Sequence, residues 1–286
     1  MARTVVETLY KHYAQQFEMV GAPIVEERSP FQDILIFDTH THGRVMVLDG
    51  IVQITERDEC AYSEMLSHLP ILESGSVSKV MIVGGGDGAI AEEVLKHKSI
   101  SQVDLVDIDG HVIEQCKKHF KAVHKGVFDD KRLHVYAEDA FKFLKDDATE
   151  GQYDLIIADR PDPVGPAAVL FADEFYKLVR RALTSNGVAC FQNGVPLLQA
   201  EELTETAKQI ASVFEASGLF LTVVPTYIGG YMALTWASRG QKLGEIAKAE
   251  KVRERFKAAK IQTDYYTPDV HYAAFSLPPF VKRLIK

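Results

Sequence analysis

The sequence predicts an α/β fold, a mainly parallel sheet flanked by helices, with a small β-rich unit at the N-terminus. Three observations predict it. From Lys79 onward, short apolar runs alternate with helical segments, as in chains of strand–helix–strand units. The first run, KVMIV (79–83), is apolar throughout, as a parallel strand covered on both faces must be. Upstream, β-branched runs flank the two-residue turn Asp49-Gly50, a strong hairpin signal. The expected division is 1–72 for the β-rich domain and 73–286 for the α/β domain.

Taken in order, the N-terminal MARTVVETLYKHYAQQF is polar and lacks the apolar centre of a secretory leader. QDILIFD (32–38), RVMVL (44–48) and IVQI read as antiparallel strands. In ERDECAYSEMLSHLP the apolar and aromatic residues recur at helical spacing, and Pro70 is expected to close that helix. After KVMIV come a GGGDG turn and the helical AIAEEVLKH. VDLVDID (103–109), LHVYAED (133–139), YDLIIAD (153–159) and GVACFQNG (187–194) are the next strands. HVIEQCKKHF and ADEFYKLVRRAL supply helices between them. LFLTVVPTY (219–227) and YMALTWAS (231–238) read as an antiparallel hairpin, and 240–262 as an exposed amphipathic helix.

Composition narrows the function. With 286 residues, 47 % hydrophobic and 25 % charged, the chain is an ordinary globular protein. A net charge of −8 without basic runs argues against nucleic acid and favours a cationic ligand. Cys60, Cys116 and Cys190 are far apart, which fits a reducing compartment and neither a disulfide framework nor a zinc site. No run reaches the length of a membrane span, so a cytoplasmic location is expected. No histidine motif suggests a metal, and no G-x-S-x-G suggests a hydrolase.

The loop Gly84-Gly85-Gly86-Asp87-Gly88 leaves a strand and opens a helix, where glycines let the backbone approach a ligand. It matches G-x-G-x-x-A, and Asp107 ends the next strand where an acid can take ribose hydroxyls, so the fold expected is Rossmann-like. A dinucleotide remains open at this point. However, Asp87 would repel a pyrophosphate and attract a cation, and Asp139 could accept from an adenine amino group. Each of these acids could equally cap a helix. Three at successive strand ends favour a nucleoside with a cationic arm, an adenosyl sulfonium. The fourth strand ends in Asp159-Arg160-Pro161-Asp162-Pro163, two carboxylates in a proline-stiffened loop. A carboxylate there can bind a substrate ammonium and then take its proton. Tyr62 and Tyr227 are candidates for shaping a slot around an alkyl chain.

FQDILIFD, GRVMVLDGIVQITERDE, VGGGDGAIAEEVLKH, DIDGHVIEQCKKHF, DPVGP with LFADEFY, FQNG and VPTYIGG together resemble the spermidine synthase (polyamine aminopropyltransferase) family. The likeness covers nearly the whole chain, to AAFSLP near the C-terminus. It implies a class I methyltransferase-type Rossmann-like domain, a homodimer and a segment at 159–172 covering the site. It implies no cofactor: decarboxylated S-adenosylmethionine would be a co-substrate, methylthioadenosine the by-product, and putrescine the acceptor that becomes spermidine. Gln32, Asp107, Asp139, Ala140 and Pro166 would line the adenosine end, with Gln53 and Asp87 along the aminopropyl arm. Asp159 would accept the proton, and Tyr62, Asp162, Tyr227 and Gln192 would surround the acceptor amine.

Three departures from the family pattern matter. Arg160 and Pro161 stand where small hydroxyl residues are usual, Ser63 where a longer Gln or His is, and Asp107 where Glu is. Arg160 is expected either to face the acceptor, favouring one with a carboxylate, or to point outward to a surface acid. Other acceptors (cadaverine, agmatine, spermidine or a diamino acid), a methyltransferase on the same scaffold, and a non-catalytic binding homologue are the alternatives.

Overall fold

The computed structural model describes residues 3–160, 170 and 172–285. Among them the N-terminal part forms β1 (Thr4–Tyr10), β2 (Tyr13–Glu18), β3 (Val25–Arg28), β4 (Asp33–Thr39), β5 (Gly43–Leu48) and β6 (Ile51–Thr55). Then come α1 (Cys60–Ser74), β7 (Lys79–Gly84), α2 (Ala89–Leu95), β8 (Gln102–Asp107), α3 (Gly110–His119), α4 (Lys121–His124), β9 (Leu133–Ala137), α5 (Ala140–Phe143) and β10 (Tyr153–Asp159). The C-terminal part holds α6 (Asp173–Ala182), β11 (Leu183–Gln192), α7 (Ala200–Val213), β12 (Ala216–Val223), β13 (Tyr231–Ser238), α8 (Ala249–Ala259), α9 (Pro268–Ala274) and α10 (Pro279–Leu284).

The apolar run at 79–83 becomes the middle of a sheet ordered β12-β13-β11-β10-β7-β8-β9. Pairing is parallel from β11 to β9, and β13 is antiparallel to both β11 and β12. Alternate residues of β7 serve opposite faces, as a strand's period of two requires. Val80 and Ile82 join Met65, Leu69 and Leu72 of α1, while Met81 and Val83 join Phe175, Tyr176 and Val179 of α6. Strand order reverses beside β7: β8 and β9 lie on one side, β10 and β11 on the other. The crevice at the carboxyl ends of β7 and β10 is therefore the expected ligand site.

The N-terminal strands form the β1-β2 hairpin and the antiparallel sheet β3-β4-β5-β6. Asp49 and Gly50 have φ of 48° and 83°, the geometry of a tight hairpin turn. The β1-β2 hairpin is not among the expected elements, because its connection, Lys11-His12, has no glycine, asparagine or aspartate to mark a turn.

Two elements differ from expectation. Pro70 does not close α1, which runs on to Ser74 and ends at Gly75 in the left-handed region (φ 71°). Residues 61–73 are all buried, and this packing outweighs the lost hydrogen bond at proline. The boundary expected at 72 thus falls inside a helix that belongs to the core of the large sheet. The helix expected over 240–262 is confined to Ala249–Ala259. Upstream of it, Glu73 accepts the backbone N–H groups of Gly244 (2.7 Å) and Ile246 (2.9 Å), which fixes that chain outside a helix.

Candidate active site

Gly84 and Asp159 are register partners at the ends of β7 and β10. Gly84 has φ 78°, and a Cβ there would lie 2.0 Å from the Asp159 carbonyl oxygen, so only glycine lets the strands meet this closely. Gly86 donates its N–H to Asp107 Oδ2 at 3.0 Å, and a Cβ on it would strike the same oxygen at 2.7 Å. These contacts shape the mouth of a cavity of about 510 Å³.

Asp107, Asp159 and Gln192 line this cavity from the ends of β8, β10 and β11, Asp87 and Asp139 from the loops after β7 and β9, and Ala140 from the start of α5. Gln32 and Gln53 come from the N-terminal unit, Tyr62 and Ser63 from α1, and Tyr227 from the β12–β13 connection. Asp162 and Pro166, with Pro161 and most of the expected covering segment, lie outside the described residues.

The acids expected at the nucleoside end cap backbone and line the cavity at once. Asp87 Oδ1 accepts from Ala89 N (2.7 Å), and Asp139 Oδ1 from Phe141 N (2.9 Å). Asp107 Oδ1 accepts from Asp109 N (2.9 Å), and burial pushes the Asp107 pKa up to about 6. Gln32 is braced by its amide donating to Asp109 Oδ2 (2.9 Å), which also takes the Ser29 hydroxyl (2.6 Å).

At the other end, Tyr62 donates its hydroxyl to Asp159 Oδ1 at 2.7 Å. Its ring meets Tyr227 edge-to-face at 5.9 Å, and Tyr227 donates to the Gln53 carbonyl at 2.7 Å. Burial, and next the charge of Asp87, raise the Asp159 pKa to about 7, while the Tyr62 hydroxyl pulls it back. Burial likewise raises the pKa of Asp87. Two enclosed carboxylates that disfavour each other's charge make a site that gains by binding cations.

Arg160 is 2 % exposed and does not point outward: its residue lines the cavity, and its guanidinium is bonded inside the protein to Leu170, Tyr176 and Gln192.

Sequence reasoning missed several contributors. Glu59 lines the cavity, takes the Ser63 hydroxyl at 2.6 Å, and has a pKa raised to about 7, chiefly by burial. Asp58 Oδ2 accepts both the N–H and the hydroxyl of Thr226 at 2.8 Å, fixing the chain that carries Tyr227. Glu7 and Tyr10 reach the cavity from the unforeseen β1-β2 hairpin. The acidic run ERDE was the available signal for Asp58 and Glu59; nothing local marked Glu7 or Tyr10.

Among the described residues no group of three or more His, Cys, Asp or Glu is arranged to hold a metal. No described helix is long and apolar enough to cross a membrane.

A model of the spermine/spermidine synthase domain matches residues 59–245, and one of the spermidine synthase tetramerisation domain matches 19–56. The chain belongs to the spermine/spermidine synthase family. Within this family it is 44 % identical to a polyamine aminopropyltransferase of Ruegeria sp. (strain TM1040), over 97 % of this chain and 96 % of the relative. It is 42 % identical to polyamine aminopropyltransferase 1 of Pseudomonas aeruginosa, over 98 % of this chain and 96 % of that protein. A crystal structure of spermidine synthase in complex with the transition-state analogue AdoDATO superposes with a TM-score of 0.93 at 32 % identity, covering 100 % of this chain and 96 % of the other.

Proposed function

We propose that this protein transfers the aminopropyl group of decarboxylated S-adenosylmethionine to putrescine, giving spermidine and methylthioadenosine. The observation that carries this reading is Asp159 at the strand-order reversal, bonded to Tyr62 at 2.7 Å in the cavity that Asp87 also lines. The acceptor nitrogen attacks the methylene beside the sulfonium. A C–N bond forms, the C–S bond breaks with its electron pair going to sulfur, and the nitrogen gives a proton to Asp159. Both substrates are cations, and the carboxylates of Asp87 and Asp159 offset the repulsion of bringing them together. Alignment in the cavity supplies much of the acceleration.

In this reading Gln32, Asp107, Asp139 and Ala140 hold the adenosine, and Gln53 and Asp87 hold the aminopropyl arm. Tyr62, Tyr227, Ser63 and Gln192 surround the acceptor. Asp162 and Pro166 keep the roles implied by the family resemblance. We further propose a cytoplasmic homodimer, whose mass light scattering would report as twice that of one chain.

The test is methylthioadenosine release from decarboxylated S-adenosylmethionine with a panel of amines, read by mass spectrometry. Putrescine-dependent release with spermidine formed is the expected result. Release only with another amine would keep the chemistry and reassign the acceptor. Absence of release with every amine would overturn the reading.

A further inference from the structure

Arg160 directly follows the proposed base, yet its side chain turns into the protein. Its Nη1 donates to the Leu170 carbonyl at 2.5 Å and the Tyr176 hydroxyl at 2.8 Å. Its Nε donates to the Gln192 carbonyl at 3.2 Å. The guanidinium lies over the rings of Tyr176 and Phe191, 5.4 Å from each centroid. These partners come from separate parts of the chain: position 170, α6, and the end of β11. The fixed fork of donors on a guanidinium can serve several acceptors and two rings together, which a lysine ammonium cannot reproduce. Position 170 is thereby held within a side chain's reach of position 160. The ends of the neighbouring strands β10 and β11, paired at Ala158 and Phe191, are locked together at the same point.

We infer that Arg160 is a positioning residue that clamps the end of β10 and so holds the Asp159 carboxylate on the Tyr62 hydroxyl, in the cavity lined by Asp87. The inference rests on the reading of Asp159 as proton acceptor. The Nη1 and Nε donors of Arg160 are taken by two carbonyls and a phenol in the protein, and the role assigned to it is to hold β10. Burial lowers the Arg160 pKa, and Tyr176 opposes that fall, in keeping with a cation retained by its packing.

The experiment compares wild type with Arg160→Lys, Arg160→Ser and Tyr176→Phe, all on putrescine. Each variant is checked for folding by circular dichroism and for binding of methylthioadenosine. Arg160→Lys keeps the charge and loses the fork. We expect its kcat to fall about tenfold to a hundredfold, the cost of a displaced reacting group, while binding of methylthioadenosine is kept. The acidic limb of its kcat profile should move to lower pH as a loosened Asp159 gains solvent. Tyr176→Phe removes one acceptor and should move both quantities the same way by less.

Wild-type kcat in both Arg160 variants, with a lowered KM for putrescine in Arg160→Ser, would overturn the inference and make Arg160 a charge that faces the acceptor. A lowered kcat with an unmoved pH limb would overturn it in favour of a general structural role. If the Arg160 variants fail to fold, Tyr176→Phe decides: unchanged kcat and pH limb overturn the inference. A wild type that releases no methylthioadenosine fails the underlying reading as well, whereas an active wild type with unmoved variants fails this inference alone.

Discussion

Asp159 concentrates the chemistry at the residue scale. Asp159→Asn keeps the shape of the side chain and loses its proton affinity. We expect methylthioadenosine binding to stay near wild type and single-turnover release to fall by about 10²–10⁴. The raised pKa has a signed consequence for stability. A folded-state value of about 7, above the ordinary 3.8, means the empty protein binds more protons folded than unfolded between those values. Its stability therefore falls as pH rises from about 4 to about 7, and Asp107, raised to about 6, adds in the same direction. Thermal melts across that range should show the decline, and Asp159→Asn should flatten it. Because a bound cation favours the carboxylates, the acidic limb of kcat should lie below that of kcat/KM for the donor. Both limbs belong to the Asp87–Asp159 pair rather than to one residue.

At the scale of elements, the glycine loop and α1 set the site. Gly86→Ala places a methyl against the Asp107 carboxylate, which touches the Gly86 N–H. We expect weaker methylthioadenosine binding by calorimetry, with a smaller effect on melting. Helix α1 carries Tyr62 and Ser63 on one side and anchors the C-terminal chain on another. Glu64 accepts the N–H groups of Asp264 (2.7 Å), Tyr265 (3.0 Å) and Tyr266 (2.6 Å). Glu64→Ala leaves those donors without their acceptor and should cost on the order of 3 kcal/mol or more. The urea midpoint should fall with little change in slope.

At the scale of the molecule, a net charge of −8 surrounds an acidic cavity. That field should steer a diamine inward, so kcat/KM for putrescine should fall as salt is raised, and fall less for a monoamine of the same length. A slope equal for both amines would show that charge beyond the cavity contributes nothing to capture.

The alternation of apolar runs and helices from Lys79, the Asp49-Gly50 turn, and the acids at successive strand ends were legible because each depends on local pattern. Strand period, turn chemistry and loop composition are written in neighbouring residues, so the sequence by itself determined the α/β class, the glycine loop and the acidic edge. Tertiary structure decided what depends on distant partners. Pro70 stays inside α1 because residues 61–73 are buried against the sheet. The chain at 244–246 is held in a turn outside the helix because Glu73, far back in the sequence, captures the N–H groups of Gly244 and Ile246. Arg160 turns inward because Leu170, Tyr176 and Gln192 converge on it, and Glu59, Glu7 and Tyr10 become cavity walls only once the N-terminal unit meets the sheet. Where a side chain lies is fixed by the acceptors and rings that the fold gathers around it, and adjacent sequence holds no record of them.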